Sequence, residues 1–525
     1  MRKGCFIILF CLSVVSCKQK ATTFVILETT DMHGEFLSPM ASLTSYIHAT
    51  EQKYGKNLLL LDCGDNLQGS STVFYYNYLN TSDPHITTEL FKYLPYTALT
   101  VGNHDLEAGK QVYDRVYRNL SIPVLGANIV NKFNKRPYFR PYTLLYRDGY
   151  KIAILGLVSA QALQWIPKEK RNGLQYQPIE EAADYWVKHI QEKEKPDILI
   201  ALSHCGLQEE AGATDKGDAM GWVADNIAGI DIICCGHDHA SLVTTRTNKF
   251  GKTIHVLESG ARAGSIAQAT IVVSPVRGQK PRLTVTTRLV ESSSLPQDQP
   301  YLNKFSPLVN KAVEFENTPV CYLDTTICSS DAYNGPCAWV DQLHWAYAEI
   351  AKENHIGVDI TFANSYCNDA VMQKGELYAK DFISLCPFEN TLSVVEMTGS
   401  EVKDFLEYTY SLRLDYPNEP VYNFDSAGGI RYTVDTRKPK GERIVISSMA
   451  NGNHFYSTKR YHVAMSTFRA LGGGTHLNKQ LRWSRHKMLT RMVWTDTRDI
   501  RTQLMEFYAA QKHVQPIALT TWQYL

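Results

Sequence analysis

Five short segments in the first half of the chain carry residues suited to holding cations. They are Asp31-Met32-His33, Gly64-Asp65, Gly102-Asn103-His104, Ser203-His204 and Gly236-His237-Asp238-His239. Carboxylate, carboxamide oxygen and neutral imidazole all offer lone pairs to a divalent ion. Asp31, His33, Asp65, Asn103, His204, His237 and His239 make seven such donors with no thiolate among them. That set suits two divalent metals in one cleft. Two ions about 3.5–4 Å apart stabilise both the attacking and the departing oxygen of a phosphoryl transfer. His104 follows Asn103 directly, points elsewhere, and is left free for catalysis. Singly, each segment has a plainer reading. Asp-x-His can be a solvated loop, Asp after Gly a helix N-cap, Gly-Asn a turn, and a lone His a core residue.

The elements before these segments shift the balance. Phe24–Thr30, Leu58–Leu61, Tyr96–Val101, Asp197–Ser203 and Ile230–Cys235 are short apolar runs, most of them rich in β-branched residues. They read as buried strands. In open α/β sheets ligands bind beyond the carboxyl ends of strands, so the five ends can converge although far apart in sequence. Ile152–Val158 and Thr253–Glu258 read as further strands without ligands. Asn128, after a short run from Pro123, reads as a turn residue, with support of a neighbouring ligand as the alternative.

At 525 residues the chain holds two or more domains. A net charge of +1 gives no global field for nucleic acid, and no nucleic-acid partner is expected. Arg2-Lys3 followed by apolar Gly4–Val15 reads as a signal, too short to span a bilayer stably. Cys17 sits where bacterial lipoproteins carry their lipid. The expectation is a segment 1–17 made of a cleaved signal and a lipid-bearing Cys17, with an ordinary signal peptide as the alternative. Either places the mature protein outside the cytoplasm, facing the periplasm if membrane-anchored. Cys63, Cys205, Cys234 and Cys235 read as buried small hydrophobes. Cys321, Cys328 and Cys337 leave a disulfide open.

These motifs resemble the metallophosphoesterase signature. Their order and framing segments resemble the 5'-nucleotidase / 2',3'-cyclic-nucleotide 2'-phosphodiesterase family. The resemblance implies an α/β chain in which residues 22–292 form a metallophosphoesterase β-sandwich flanked by helices, with metals at its edge. Residues 293–330 would connect it to a C-terminal α/β 5'-nucleotidase-type domain at 331–525. It implies that Asp31, His33 and His239 hold one metal, that Asn103, His204 and His237 hold the other, and that Asp65 bridges. The metals would be zinc, manganese or similar. His104 would act on the phosphate, supported from the position of Glu107.

In the second half, Pro296–Glu316 reads as a connecting helix packing Phe305, Leu308, Val309, Ala312 and Val313 on one side. Ala338–Asn354 reads as an amphipathic helix and Val358–Asn364 as a strand. Family members often continue with Gly-Gly-x-Arg, whose arginine meets the phosphate; here Ser365-Tyr366-Cys367-Asn368-Asp369 follows. Later landmarks, Tyr422-Asn423-Phe424-Asp425 and Thr467-Phe468-Arg469, look closer to the cyclic-nucleotide phosphodiesterase branch. By resemblance Phe424 and Phe468 form an aromatic clamp on a nucleobase; the alternative is two core aromatics. Asn364 and Asn390 are further candidates for contact with a nucleotide substrate. A monomeric nucleotide phosphohydrolase used in scavenging is expected. A related phosphatase on nucleotide sugars and a nucleotide-binding lipoprotein without turnover are the alternatives.

Overall fold

The leading apolar runs form strands whose two faces are both covered, which is why they are continuous rather than alternating. The computed structural model describes residues 21–525 except 160, 165, 167–170, 208–218, 387–389, 417–420, 518 and 520. The expected signal segment and Cys17 lie outside the described residues, as does the Pro387-Phe388-Glu389 landmark.

Fourteen strands are described in the first half: β1 (Thr22–Thr29), β2 (Leu58–Asp62), β3 (Tyr96–Thr100), β4 (Val124–Leu125), β5 (Ile129–Asn131), β6 (Tyr142–Arg147), β7 (Tyr150–Val158), β8 (Leu174–Tyr176), β9 (Ile198–His204), β10 (Ile232–Cys234), β11 (Ser241–Thr247), β12 (Thr253–Ser259), β13 (Ser265–Ser274) and β14 (Arg282–Glu291). One six-stranded sheet has the order β14-β13-β1-β2-β3-β4, a second β11-β12-β10-β9-β7-β6, and β5 pairs with β8. Within each six-stranded sheet the central strands are parallel.

The two sheets face each other. Phe24 and Ile26 of β1 point inward with Leu59, Leu61, Ile152, Ile154, Ile198 and Ile200. Val25 and Leu27 point outward onto Met40, Leu43 and Ile47 of the helix Ser38–Tyr54. On the other sheet Leu199 and Ala201 meet Ala183, Val187 and Ile190 of the helix Ile179–Lys193. Each fully buried aliphatic side chain contributes roughly 1.5–3 kcal/mol, so these layers fix strand register and, with it, where each strand ends.

The connecting helix runs from Gln299 to Glu316, capped by Asp298, whose carboxylate accepts the Tyr301 N–H. Tyr301, Phe305, Val309 and Ala312 are buried against the catalytic half. Val313, expected on the same face, is 40% exposed. Eight residues beyond Phe305 it lies about 80° round the helix, off the buried stripe.

The second half is built on a sheet of Ser426–Gly428, Ile360–Ala363, Arg460–Ser466, Leu392–Thr398 and Met492–Thr495, in that order. The expected helix forms as Ala338–Glu353 and covers one face with Trp339, Leu343 and Tyr347. Helix Gly399–Asp415 covers the other with Val402, Phe405 and Leu406. All nine described cysteines are thiols.

Candidate metal centre

Three of the five ligand-bearing segments leave their strands through sharp turns, while His204 is the last residue of its strand and Asn103 opens a short helix. Asp31, His33, Asp65, His237 and His239 have φ of 49°, 47°, 59°, 91° and 59°. L-residues avoid this left-handed region, at a cost on the order of 1–3 kcal/mol each. The surrounding turns pack too closely to relax. A Cβ on Gly102 would lie 1.9 Å from Asp65 Oδ1, and one on Gly236 2.0 Å from Thr30 Oγ1. The glycines of Gly-Asn-His and Gly-His-Asp-His are therefore required by contact between neighbouring strand ends.

The strand ends bring six of the seven side chains into two adjoining groups, with Asn103 beside the second. Asp31, His33 and His239 form one, and Asp65, His204 and His237 the other, with ligand atoms in each group within 4.8 Å of one another. In the first, His33 Nε2 and His239 Nε2 are 3.1 Å apart and lie 3.7 and 3.4 Å from Asp31 Oδ1. In the second, His204 Nε2 lies 3.1 Å from Asp65 Oδ2 and 3.0 Å from Asn103 Oδ1. Backbone carbonyls set the tautomers. His33 Nδ1 is 3.0 Å from Gln68 O and His204 Nδ1 is 2.8 Å from Cys63 O. A carbonyl only accepts, so Nδ1 carries a proton and, in the neutral ring, Nε2 turns a lone pair into the site.

The donor set fits divalent cations. Asp31 Oδ1 is buried and receives no hydrogen bond, although two imidazole Nε2 atoms aim at the same point. A buried orphan carboxylate oxygen is costly unless a cation compensates it. Burial pushes the Asp31 carboxyl up, but the charge of His204 and the facing imidazoles of His239 and His33 outweigh it and hold it well below the usual range. Burial lowers His204, and the carboxylates of Asp65 and Asp31 more than reverse this, raising it to about 9. Burial and the neighbouring His204 lower His237 to about 4. The pocket thus favours positive charge at its carboxylates and a neutral imidazole at His237.

His104 stands beside this cluster, its ring 5.6 Å from that of His33. Glu107 accepts a 2.7 Å hydrogen bond from His104 Nδ1, the support expected of that position.

Sequence reasoning passed over Asp105. Its buried carboxylate accepts the N–H groups of Gly102, Asp65, Asn66 and Leu67 at 2.8, 3.0, 2.8 and 2.9 Å. It ties the Asp65 turn to the Asn103 turn. Asp62 braces the same turn from below, accepting from Thr29 Oγ1, Gly64 N and Asn66 Nδ2 at 2.8, 3.0 and 2.7 Å. Asn128, expected in a turn, is buried and clasps the end of β7 by bonds to Val158 N and O at 2.9 and 2.7 Å.

Comparison with known proteins identifies the two halves of the chain. The calcineurin-like phosphoesterase model covers residues 24–241 and the 5'-nucleotidase C-terminal domain covers 324–479. The chain belongs to the calcineurin-like phosphoesterases that carry a 5'-nucleotidase C-terminal domain. It is a hydrolase of phosphoric esters, of a family that uses divalent metal. A 2',3'-cyclic-nucleotide 2'-phosphodiesterase/3'-nucleotidase of Salmonella typhimurium is 23% identical over 85% of this chain and 81% of its own. A 5'-nucleotidase of Vibrio cholerae is 23% identical over 86% of each. A solved chain from Staphylococcus aureus superposes over 96% of this chain and all of its own, with TM-score 0.76 and 18% identity. For a 5'-nucleotidase precursor of Thermus thermophilus the TM-score is 0.61, at 18% identity over 96% and 99% of the two chains.

In the C-terminal domain of this phosphoesterase, Phe424 and Phe468 are both half-buried, the first on a loop and the second in the short helix Thr467–Ala470. Phe424 packs edge-on against Tyr333 with the Arg413 guanidinium 5.6 Å from its ring. Phe468 lies over Gly473, where a Cβ would stand 2.4 Å from the ring. Asn364 and Asn390 are tied to the same two segments. Asn364 Nδ2 donates to Asp425 Oδ1 at 3.3 Å. Asn390 Oδ1 accepts the Phe468 N–H at 3.1 Å, while its own N–H donates to Asp499 at 3.1 Å. Two residues on from Asp499, Arg501 places its guanidinium 4.4 Å over the ring of Phe74 in the catalytic domain. Where the family pattern has Gly-Gly-x-Arg, Tyr366 adopts φ 60°, is buried, and bonds Tyr347 through its hydroxyl.

Proposed function

We propose that the protein is an extracytoplasmic nucleotide phosphohydrolase that uses two metal ions. Its reactions would be those of a 2',3'-cyclic-nucleotide phosphodiesterase and nucleotidase, used in nucleotide scavenging. The observation that carries this reading is the pair of ligand groups meeting where the strand ends of the two six-stranded sheets come together, with His104 beside them. Asp31, His33 and His239 hold one ion, Asn103, His204 and His237 the other, and Asp65 lies between. When bound, two such ions neutralise phosphate charge and lower the pKa of the attacking water. His104, oriented by Glu107, holds a proton at Nδ1 and offers the other ring nitrogen toward the phosphate. Phe424 and Phe468 stack on the base, each contact worth roughly 1–3 kcal/mol.

A second substrate reading, toward nucleotide sugars or other phosphoesters, is favoured by one observation. Tyr366, tied to Tyr347, occupies the stretch where relatives place a phosphate-binding arginine. Among the described residues no helix is long and apolar enough to cross a membrane. The Cys17 lipid anchor, read from the basic and apolar residues before it, is our reading of how the mature chain is held at a membrane.

Rates on 2',3'-cyclic AMP, 3'-AMP and 5'-AMP, measured on metal-loaded protein, test the proposal. Turnover of the cyclic substrate and 3'-AMP above 5'-AMP supports it. Hydrolysis of nitrophenyl phosphates with none of any nucleotide overturns it in favour of the second substrate class.

A further inference from the structure

The sheet edge remote from the metal centre carries a surface that hydrolysis does not need. Strands β1, β2, β7, β9, β10 and β12 all run toward the metals, so their first residues and the turns before them share the far edge. Lys56 pairs with Asp148, Lys280 Nζ reaches Gln191 Oε1 at 2.9 Å, and Tyr150 Oη lies 3.5 Å from Val273 O. These contacts join the turns into one face.

Three of its acids are spent on partners, while Glu51 and Glu192 stand exposed near Lys53 and Lys193 in sequence. Asp148 is taken by Lys56, Glu194 by Lys151 at 2.8 Å, and Asp231 by Lys252 at 2.5 Å. Lys53, Lys193, Lys195, Lys249, Arg277 and Lys280 are exposed. No carboxylate among the described residues pairs with them. Beside them, apolar side chains stand out at turn tips and an edge strand: Phe250 is 59% exposed, Tyr146 68% and Val276 40%. The whole chain has a net charge of only +1, so this positive face is local.

The chain also enters here. Thr22, opposite Val273, begins β1 on this edge. Four residues separate it from Cys17. Even fully extended, that span reaches at most about 18 Å.

We propose that this edge docks on an anionic lipid bilayer. The lysines meet the headgroup charge, Phe250 and Tyr146 enter the interfacial layer, and the metal centre faces away from the membrane. The outward orientation rests on the lipid reading of Cys17; the affinity of the face for anionic lipid does not. Helix C-termini attract lysine without any membrane, which accounts for Lys53 and Lys193. It does not account for Lys249, Arg277, Lys280 or an exposed phenylalanine at a turn tip.

Residues 18–525, which include every described residue and lack Cys17, are tested by co-sedimentation. The vesicles are phosphatidylcholine alone or with one third phosphatidylglycerol. At low salt the chain should bind the anionic vesicles at least tenfold better, and 0.5 M salt should remove most of that binding. The combined variant Lys249→Glu, Phe250→Ser, Lys280→Glu should lose tenfold or more in vesicle binding while hydrolysing soluble substrate at the parent rate. Equal binding by parent and variant, or no preference for the anionic vesicles, overturns the proposal. Incorporation of a labelled fatty acid by the full-length chain, absent in Cys17→Ser, tests the anchor separately.

Discussion

Asp425 and Arg469 meet through a 2.6 Å ion pair whose side chains are 2% and 1% exposed, and each stands one residue after a phenylalanine of the proposed clamp. Arg469 also donates to Gly473 O at 2.7 Å, beneath the Phe468 ring. The pair therefore sets the spacing of Phe424 and Phe468. Losing one partner strands a buried charge, which costs about 3–5 kcal/mol. Arg469→Ala should lower the melting temperature and raise KM for nucleotides more than it lowers kcat. Thermal unfolding and steady-state kinetics, with a nitrophenyl phosphate as the baseless control, separate the two effects. An equal loss on both substrates would argue against a role in holding the clamp.

His104 is not among the two ligand groups but lies against them. His104→Ala should lower kcat by about 10²–10⁴ while metal content stays near the parent value. Glu107→Gln should fall between the two, since it keeps the contact but not the charge. Metal analysis beside the kinetics is the check, and loss of metal in His104→Ala would make it a ligand.

Asp105 gathers four backbone N–H groups from the two turns that carry Asp65 and Asn103. Asp105→Ala should cost about 3 kcal/mol or more, because buried donors lose a charged acceptor. It should also weaken metal binding, although Asp105 touches no metal. Titration of metal into the apoprotein and chemical unfolding measure the two losses.

His344 gives a pH dependence of stability. It is fully buried between Thr361 Oγ1 at 2.7 Å and Ser426 Oγ at 2.9 Å. Burial lowers its pKa to about 3. The unfolded chain therefore takes up this proton first. Stability falls as pH drops below about 6.5, by up to about 1.4 kcal/mol per pH unit, and levels off near the folded value. His344→Gln should flatten this component between pH 6 and 4, seen as a smaller change in denaturation midpoint over that range.

The candidate ligand cluster was legible because its residues close apolar runs, and a buried strand in such a sheet can only deliver them to its carboxyl edge. Glu107 came only from the family resemblance, which places a carboxylate three residues after such a histidine. Asp105 was not legible, because three of its four partners are backbone groups from a turn about 40 residues earlier, and no side-chain pattern marks them. The Asp425–Arg469 pair was hidden for a similar reason: 44 residues separate two charges whose neighbours had drawn attention as aromatics. Val313 shows the limit of periodicity, which finds a helical face but not its width.

The account rests on two cations sharing this site, and metal stoichiometry tests it most directly. Manganese-loaded protein, freed of excess metal and analysed per chain, should contain two ions. His239→Ala and His204→Ala should each retain about one, and hydrolysis should fall in both. One ion or fewer in the parent chain, or no loss in either variant, would contradict the dinuclear centre and the mechanism built on it.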